Sequence, residues 1–275
     1  MIDKPARIAL LIDADNSPAA KIDVILAELA KAGVSNIRRA YGNWKKDALK
    51  GWEAVLHEYA IRPVQQFDYS KGKNATDMVM VIEAMDLLYT DRPEAFGIVS
   101  SDADFTPLVM HLKAKGALVF GFGAKKTPLP FVNACSRFLY LENLGQAEAS
   151  AEPRVAKTAR PKAKAGAAKA KEGKDGGDGT GNGEAAPTRM DTAALKQDAR
   201  LVTLLRNAVE SAAGEDGWSA LGRVGQQIGN QASFDARNYG YRKLSDLIEA
   251  TQLFDIDKRD KHLYLRDKRL AKGGG

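Results

Sequence analysis

Two apolar runs in this chain stop on the same tripeptide. The stretch Ile8–Ile12 ends at Asp13-Ala14-Asp15, and Phe96–Val99 leads through two serines to Asp102-Ala103-Asp104. A short, branched, continuous apolar run cut off by polar residues reads as a strand buried on both faces. Paired carboxylates at the tips of two such strands repel each other unless something positive lies between them.

The segments around these runs alternate strand and helix. Strands are expected at "RIALLI", "NIRRAYG", "IRPVQQFD", "AFGIVSS", "ALVFGFG" and "RFLYLEN". Helices are expected at "PAAKIDVILAELAKAG", with Pro18 at its start and Gly33 at its stop, at "DALKGWEAVLHEYA", and at "TDMVMVIEAMDLLY" with Thr76 as N-cap. Two more are expected at "DFTPLVMHLKAKG" and "PFVNACS". This order gives an α/β fold, a mostly parallel sheet with helices on both faces. Apolar residues make up 44 % of the chain, enough for such a core.

Composition changes after residue 146. Ala, Lys, Gly and Pro dominate to about residue 190, and eight basic side chains against one acid lie between Arg154 and Lys174. Such a segment buries too little surface to fold and reads as a disordered basic linker that attracts polyanions. From 191 to 270 helical periodicity returns in "TAALKQDARLVTLLRNAVESAAG", "SALGRVGQQIGNQ" and "YRKLSDLIEAT". The alternating segments "LFDID" and "HLYLRD" then flank a turn. Three helices and a two-stranded wing make a winged helix-turn-helix. The expected division is 1–146, 147–190 and 191–270.

In parallel sheets ligands sit beyond the carboxyl ends of the strands, where the strand order reverses. The first and fourth strands are expected to be neighbours there, which would bring Asp13, Asp15, Asp102 and Asp104 to one crevice. Asp77 opens a helix beside it, and Asn16 lies next to the first pair. Capping of the following helices accounts for Asp15 or Asp104 but does not call for Asp13 and Asp102. The donor set suits Mg²⁺ or Mn²⁺, which prefer carboxylate and water oxygens and handle phosphates. His57, His111 and His262 are scattered and form no zinc pattern.

Lys71, Lys73, Lys125 and Lys126 are candidates to hold phosphates near the crevice. Arg237, Arg242 and Lys243 flank the recognition-like helix and suit phosphate contact, with Lys258, Arg259 and Lys261 on the wing. Trp44 is a candidate stacking platform; Trp52, Tyr239 and Tyr241 read as packed. Cys135, the single cysteine, reads as a small buried hydrophobe and excludes an intramolecular disulfide, which fits a reducing, cytoplasmic setting. The five-residue run Ile8–Ile12 is too short for a signal peptide or a membrane span.

With these residues in view, "LLIDADN", "RRAYGNW", "QQFDYSKGKNATDMVMVIEAMDLLY", "IVSSDADFTPLV" and "VFGFGAKKTP" resemble the NYN domain of the LabA-like group, in the PIN-like nuclease superfamily. The resemblance covers roughly residues 7–142. "DGWSALGRVGQQI", "NYGYRKLSDLIEA" and "LFDI…HLYLRD" resemble the OST-HTH, or LOTUS, domain over roughly 193–268. The resemblance implies a three-layer PIN-like fold and a Mg²⁺- or Mn²⁺-dependent endoribonuclease joined to an RNA-binding winged helix. It implies Asp13, Asp77 and Asp102 as metal ligands, with Asp104 and Asn16 assisting and Asp15 less firmly placed. Ser101 stands where many relatives have glycine before the acidic pair. The expected partner is RNA, single-stranded or structured, with no membrane; a protein partner for the winged helix and a homodimer stay open. Two alternatives also stay open. One is an RNA-binding regulator with a weak or inactive site; the other is a haloacid-dehalogenase-like phosphatase with Asp13 as nucleophile.

Overall fold

The computed structural model describes residues 5–67, 75–144, 189–260 and 262–271. The linker reading for 147–190 falls almost wholly outside them, and Lys71, Lys73 and Lys261 lie outside them as well. Among the described residues no helix is long and apolar enough to cross a membrane.

The first region runs β1 (Arg7–Asp13), α1 (Ile22–Ala30), β2 (Val34–Gly42), α2 (Glu53–Glu58), β3 (Arg62–Gln65) and α3 (Ala75–Thr90). It continues through β4 (Ala95–Val99), α4 (Thr106–Ala114), β5 (Leu118–Gly123), α5 (Leu129–Ala134) and β6 (Arg137–Tyr140). Its six strands form one parallel sheet in the order β3-β2-β1-β4-β5-β6. The order reverses between β1 and β4, as the alternation predicts.

The period-two pattern of β1 feeds two cores. Ala9 and Leu11 join Met80, Leu87, Val109 and Phe131 of α3, α4 and α5 on one face. Ile8, Leu10 and Ile12 join Ile22, Ile25 and Leu29 of α1, with Leu49 and Trp52, on the other. A strand buried on both faces needs this uninterrupted apolar run. Pro18 precedes a short 3-10 turn at Ala19–Lys21, so α1 starts later than Pro18 suggests. Thr76 lies inside the first turn of α3 rather than at its cap, and its hydroxyl is committed elsewhere.

The second region comprises α6 (Thr192–Gln197), α7 (Ala199–Ser211), β7 (Ser219–Ala220), α8 (Leu221–Gln231), α9 (Leu244–Thr251), β8 (Phe254–Arg259), β9 (His262–Asp267) and α10 (Lys268–Ala271). The first helix expected here is two. Asp198 leaves the helical conformation and its carboxylate accepts from Leu201 N, capping α7. β8 and β9 form the expected antiparallel wing, and β7 adds a third strand against β9. Leu201, Leu205, Val224, Ile228, Leu247 and Leu265 make its separate core.

Candidate functional site

β1 and β4 end side by side, with Ile12 paired to Val99. Asp13 is the last residue of β1 and is fully buried. Its Oδ2 accepts from Ser100 Oγ at 2.9 Å and from Asn16 Nδ2 at 3.1 Å; Oδ1 has Asn16 Nδ2 at 3.3 Å. Ser100, also fully buried, accepts from Asp102 N at 3.1 Å. One serine therefore ties the two strand-end aspartates into a single unit. Burial holds Asp13 above the ordinary carboxylate range, against the lowering effect of the hydrogen bonds from Asn16 and Ser100. A carboxylate buried beneath Asn16, with both oxygens occupied, is not exposed as a nucleophile.

Asp15 has its own partners. Lys46 Nζ lies 3.2 Å from Oδ1, while Thr76 Oγ1, at 3.0 Å, and Asn43 N, at 3.4 Å, donate to Oδ2. Part of the positive charge expected in the crevice is thus the chain's own lysine. Asp15 braces α3 against the ends of β1 and β2. Asp102 accepts from Asp104 N at 2.8 Å, turning the chain into α4. Ser101 accepts from Ala124 N at 2.8 Å, so the serine in the glycine position holds the loop after β5.

Asp77 sits in the first turn of α3. That helix is fixed to β2 by Glu83, which accepts from Tyr41 Oη at 2.7 Å and from Arg39 Nη1 at 2.6 Å. Burial pushes Asp77 up to about 6, reinforced by the charges of Asp13, Asp102, Asp104 and Asp15. The charges of four aspartates thus all reach Asp77 at one sheet edge. The cluster is not a finished coordination shell: among the described residues no three acidic, imidazole or thiolate groups converge as one. The donor chemistry fits a hard divalent cation, and Asn16 and Ser100 hold the Asp13 carboxylate in place at the edge of the cluster.

A raised carboxyl makes the folded state less stable wherever that carboxyl is ionised. The deficit is fully present above the folded value near 6 and disappears below the unfolded value near 3.8. A full shift of this size corresponds to nearly 3 kcal/mol, which partial exposure reduces to about 1 kcal/mol. Asp77→Asn should therefore stabilise the cation-free chain by about 1 kcal/mol near pH 7, and by almost nothing near pH 4. Urea unfolding at the two pH values reads this; lower stability at neutral pH would contradict it.

Lys125 and Lys126 are exposed in the loop that Ser101 holds, at the crevice edge of the sheet. Lys45 lies over the exposed Phe67 ring, 5.0 Å from its centroid, beyond the ends of β2 and β3. Trp44 donates its indole N–H to Val64 O at 3.0 Å and is half-buried, whereas Trp52 belongs to the core. Cys135 is buried, and burial pushes its thiol up to about 12.

The winged-helix residues are placed differently from one another. Lys243 and Arg242 are exposed, and Tyr241 is packed in the core. Arg237 is not on an open face. Its Nη1 and Nη2 lie 2.6 and 2.9 Å from the Glu28 carboxylate of α1, and its Nε lies 3.0 Å from Asp235. Ser100, Thr76 and Lys46 are the crevice residues that sequence reasoning missed. The doubled serine before Asp102 was the available signal for Ser100.

Comparison with known proteins follows the same division. The NYN domain family matches residues 7–142, and the OST-HTH/LOTUS domain family matches residues 195–265. An uncharacterized protein of Methanocaldococcus jannaschii is 31 % identical over 124 residues, 43 % of this chain. The chain spans about half, 48 %, of that relative's length. A Vibrio parahaemolyticus protein of unknown function is 17 % identical, with a TM-score of 0.41, over 51 % of this chain and 95 % of its own. An uncharacterized Nitrosomonas europaea protein is 39 % identical over 24 % of this chain and 70 % of its own, with a TM-score of 0.23. The chain is an NYN-domain protein that carries an OST-HTH/LOTUS domain after it.

Proposed function

We propose that this protein is a divalent-metal-dependent endoribonuclease whose winged helix helps hold RNA. The observation that carries the reading is the gathering of Asp13, Asp15, Asp77, Asp102 and Asp104 at one sheet edge, with Asp77 raised by burial and by the other four. Asp13, Asp77 and Asp102 would hold the cation, with Asp104 within reach. Mg²⁺ or Mn²⁺ in such a site supplies Lewis-acid stabilisation of phosphate charge and a water acidified toward neutral pH.

The chain's own residues do the rest. Ser100 and Asn16 orient Asp13, and Ser100 also fixes the backbone at Asp102. Asp15, held by Lys46 and Thr76, sets the angle at which α3 presents Asp77. Lys125 and Lys126 offer exposed charge beside the crevice and would draw in the phosphate backbone. Lys125→Glu/Lys126→Glu is then expected to raise KM by about tenfold with a smaller change in kcat, an effect that fades in high salt.

A second reading, an RNA-binding regulator with a silent crevice, is favoured by the incomplete coordination shell and the covered Asp13. Labelled single-stranded and structured RNAs incubated with the protein in Mn²⁺, Mg²⁺ or EDTA separate the two. Cleavage that needs the metal supports the nuclease. Binding without cleavage in either metal supports the regulator.

A further inference from the structure

Among the described residues the two domains meet at a turn of the winged helix, Asp235–Tyr239, and that turn contains the arginine a nucleic acid would be expected to use. β6 is the last strand of the sheet, so one side of its backbone has no strand partner. Asn238 fills that place. Its Nδ2 donates to Phe138 O at 2.9 Å, and its Oδ1 accepts from Tyr140 N at 3.3 Å. The side-chain amide substitutes for the peptide of a seventh strand and closes an otherwise open edge.

An ion-pair chain surrounds this amide. Arg137, at the start of β6, donates from Nε to Asp235 Oδ2 at 2.8 Å. Asp235 also accepts from Arg237, and Arg237 grips Glu28 with both terminal nitrogens. Lys31 adds a second cation to Glu28. The side chains of Asp235, Glu28 and Arg237 are 5 %, 10 % and 16 % exposed, so these are enclosed pairs rather than loose surface contacts. A cleft of about 710 Å³ lies beside them, lined in part by Asp23, Arg242 and Leu244.

We propose that the Asp235–Tyr239 turn is a latch that docks the winged helix on α1 and β6 of the same chain, and that docking and nucleic-acid binding through Arg237 exclude each other. A guanidinium fork engaged by a carboxylate cannot offer the same two donors to a phosphate. The latch does not plug the crevice. α1 runs back from the crevice edge, so Glu28 near its end lies toward the opposite edge of the sheet, and no crevice aspartate takes part in the contact. The partner of this surface is the chain's own second domain. The 44 residues from 145 to 188 join the two domains covalently, which favours the contact within one chain over one between chains.

The test uses the full chain in EDTA, so it does not depend on cleavage. Glu28→Gln/Arg137→Gln breaks both ion pairs between the domains without changing net charge and leaves the Asp235–Arg237 pair within the winged helix intact. Asp47→Asn/Lys50→Gln removes an exposed ion pair outside the contact and serves as control. Small-angle scattering with light-scattering mass should find the unaltered chain a compact monomer in low salt and the latch variant extended, with the control compact. A fluorescein-labelled 20-nucleotide RNA should bind the latch variant at least about fivefold tighter than the unaltered chain, because the binding-competent form is no longer a minor population. The proposal is overturned by an unaltered chain already as extended as two tethered bodies, by a dimer in which the contact is made between chains, or by a latch variant that opens without binding RNA more tightly.

Discussion

Replacing Asp13 and Asp102 together by asparagine is expected to lower metal-dependent RNA cleavage by about three orders of magnitude or more, while the far-ultraviolet circular dichroism stays that of the unaltered chain. Asp13 ends β1, Asp102 follows the adjacent β4, and both are hydrogen-bonded to Ser100, so they act as a unit and their losses should not add. Either single variant is expected to show most of the effect. Asp15→Asn provides the contrast: its carboxylate is already occupied by Lys46, Thr76 and Asn43. That variant should lose less than about tenfold in activity, and about 1 kcal/mol of stability as the ion pair with Lys46 and the hydrogen bond from Thr76 are weakened. Ser100→Ala should fall between, roughly 10- to 100-fold, as outer-shell hydrogen bonds usually do. An Asp13→Asn/Asp102→Asn chain that still cuts RNA with unchanged metal dependence would end the assignment, and equal losses for Asp15→Asn and Asp13→Asn would show that the crevice is wrongly divided.

Gly121→Val is expected to destabilise the first domain by about 3 kcal/mol, lowering its Tm by roughly 10 °C. Gly121 lies on β5 opposite Phe138, and a Cβ there would come within 2.5 Å of the Phe138 ring and 2.6 Å of Cys135 Sγ. Neither neighbour can retreat. Phe138 is fully buried and packs edge-on against Phe131 and Tyr140, at centroid distances of 5.9 and 5.3 Å. Gly51→Ala, where an added Cβ meets nothing within 4 Å, should stay within about 0.5 kcal/mol of the parent. Cys135 supplies the readout, since the only thiol in the chain is buried beneath this contact. Trapping by a thiol reagent should be slow in the parent and in Gly51→Ala and much faster in Gly121→Val. Equal trapping rates in all three would contradict the packing argument.

What could be read from residues alone was whatever repeats locally. The apolar runs, their alternation with helical segments and the acidic punctuation placed the six strands, the adjacency of β1 and β4 and the acidic sheet edge, because the runs and the punctuation are short-range patterns with one dominant physical cause. Trp52 and Cys135 were legible as core for the same reason. The break at Asp198 was not, since a cap and a mid-helix acid look alike until the backbone chooses. Arg237 was only half legible, for a deeper reason. A guanidinium suits phosphate and carboxylate equally, and its partner Glu28 lies 209 residues away. No local pattern records such a pairing. Ser100 and Lys46 act by long-range contact too, so the sequence displayed the charges of the crevice but not the scaffold that holds them apart.

The strand order also sets a schedule. β1 precedes β4 in the chain, yet it completes its pairing only when β4 arrives, and Asp102 follows Asp13 by 89 positions. At about 5–20 residues per second, that gap lasts roughly 5–20 s. Until then a nascent chain exposes one edge of its central strand and carries less than the full set of aspartates. The first half of the domain therefore cannot assemble the five carboxylates by itself, and the crevice comes into being only once β4 has been laid beside β1.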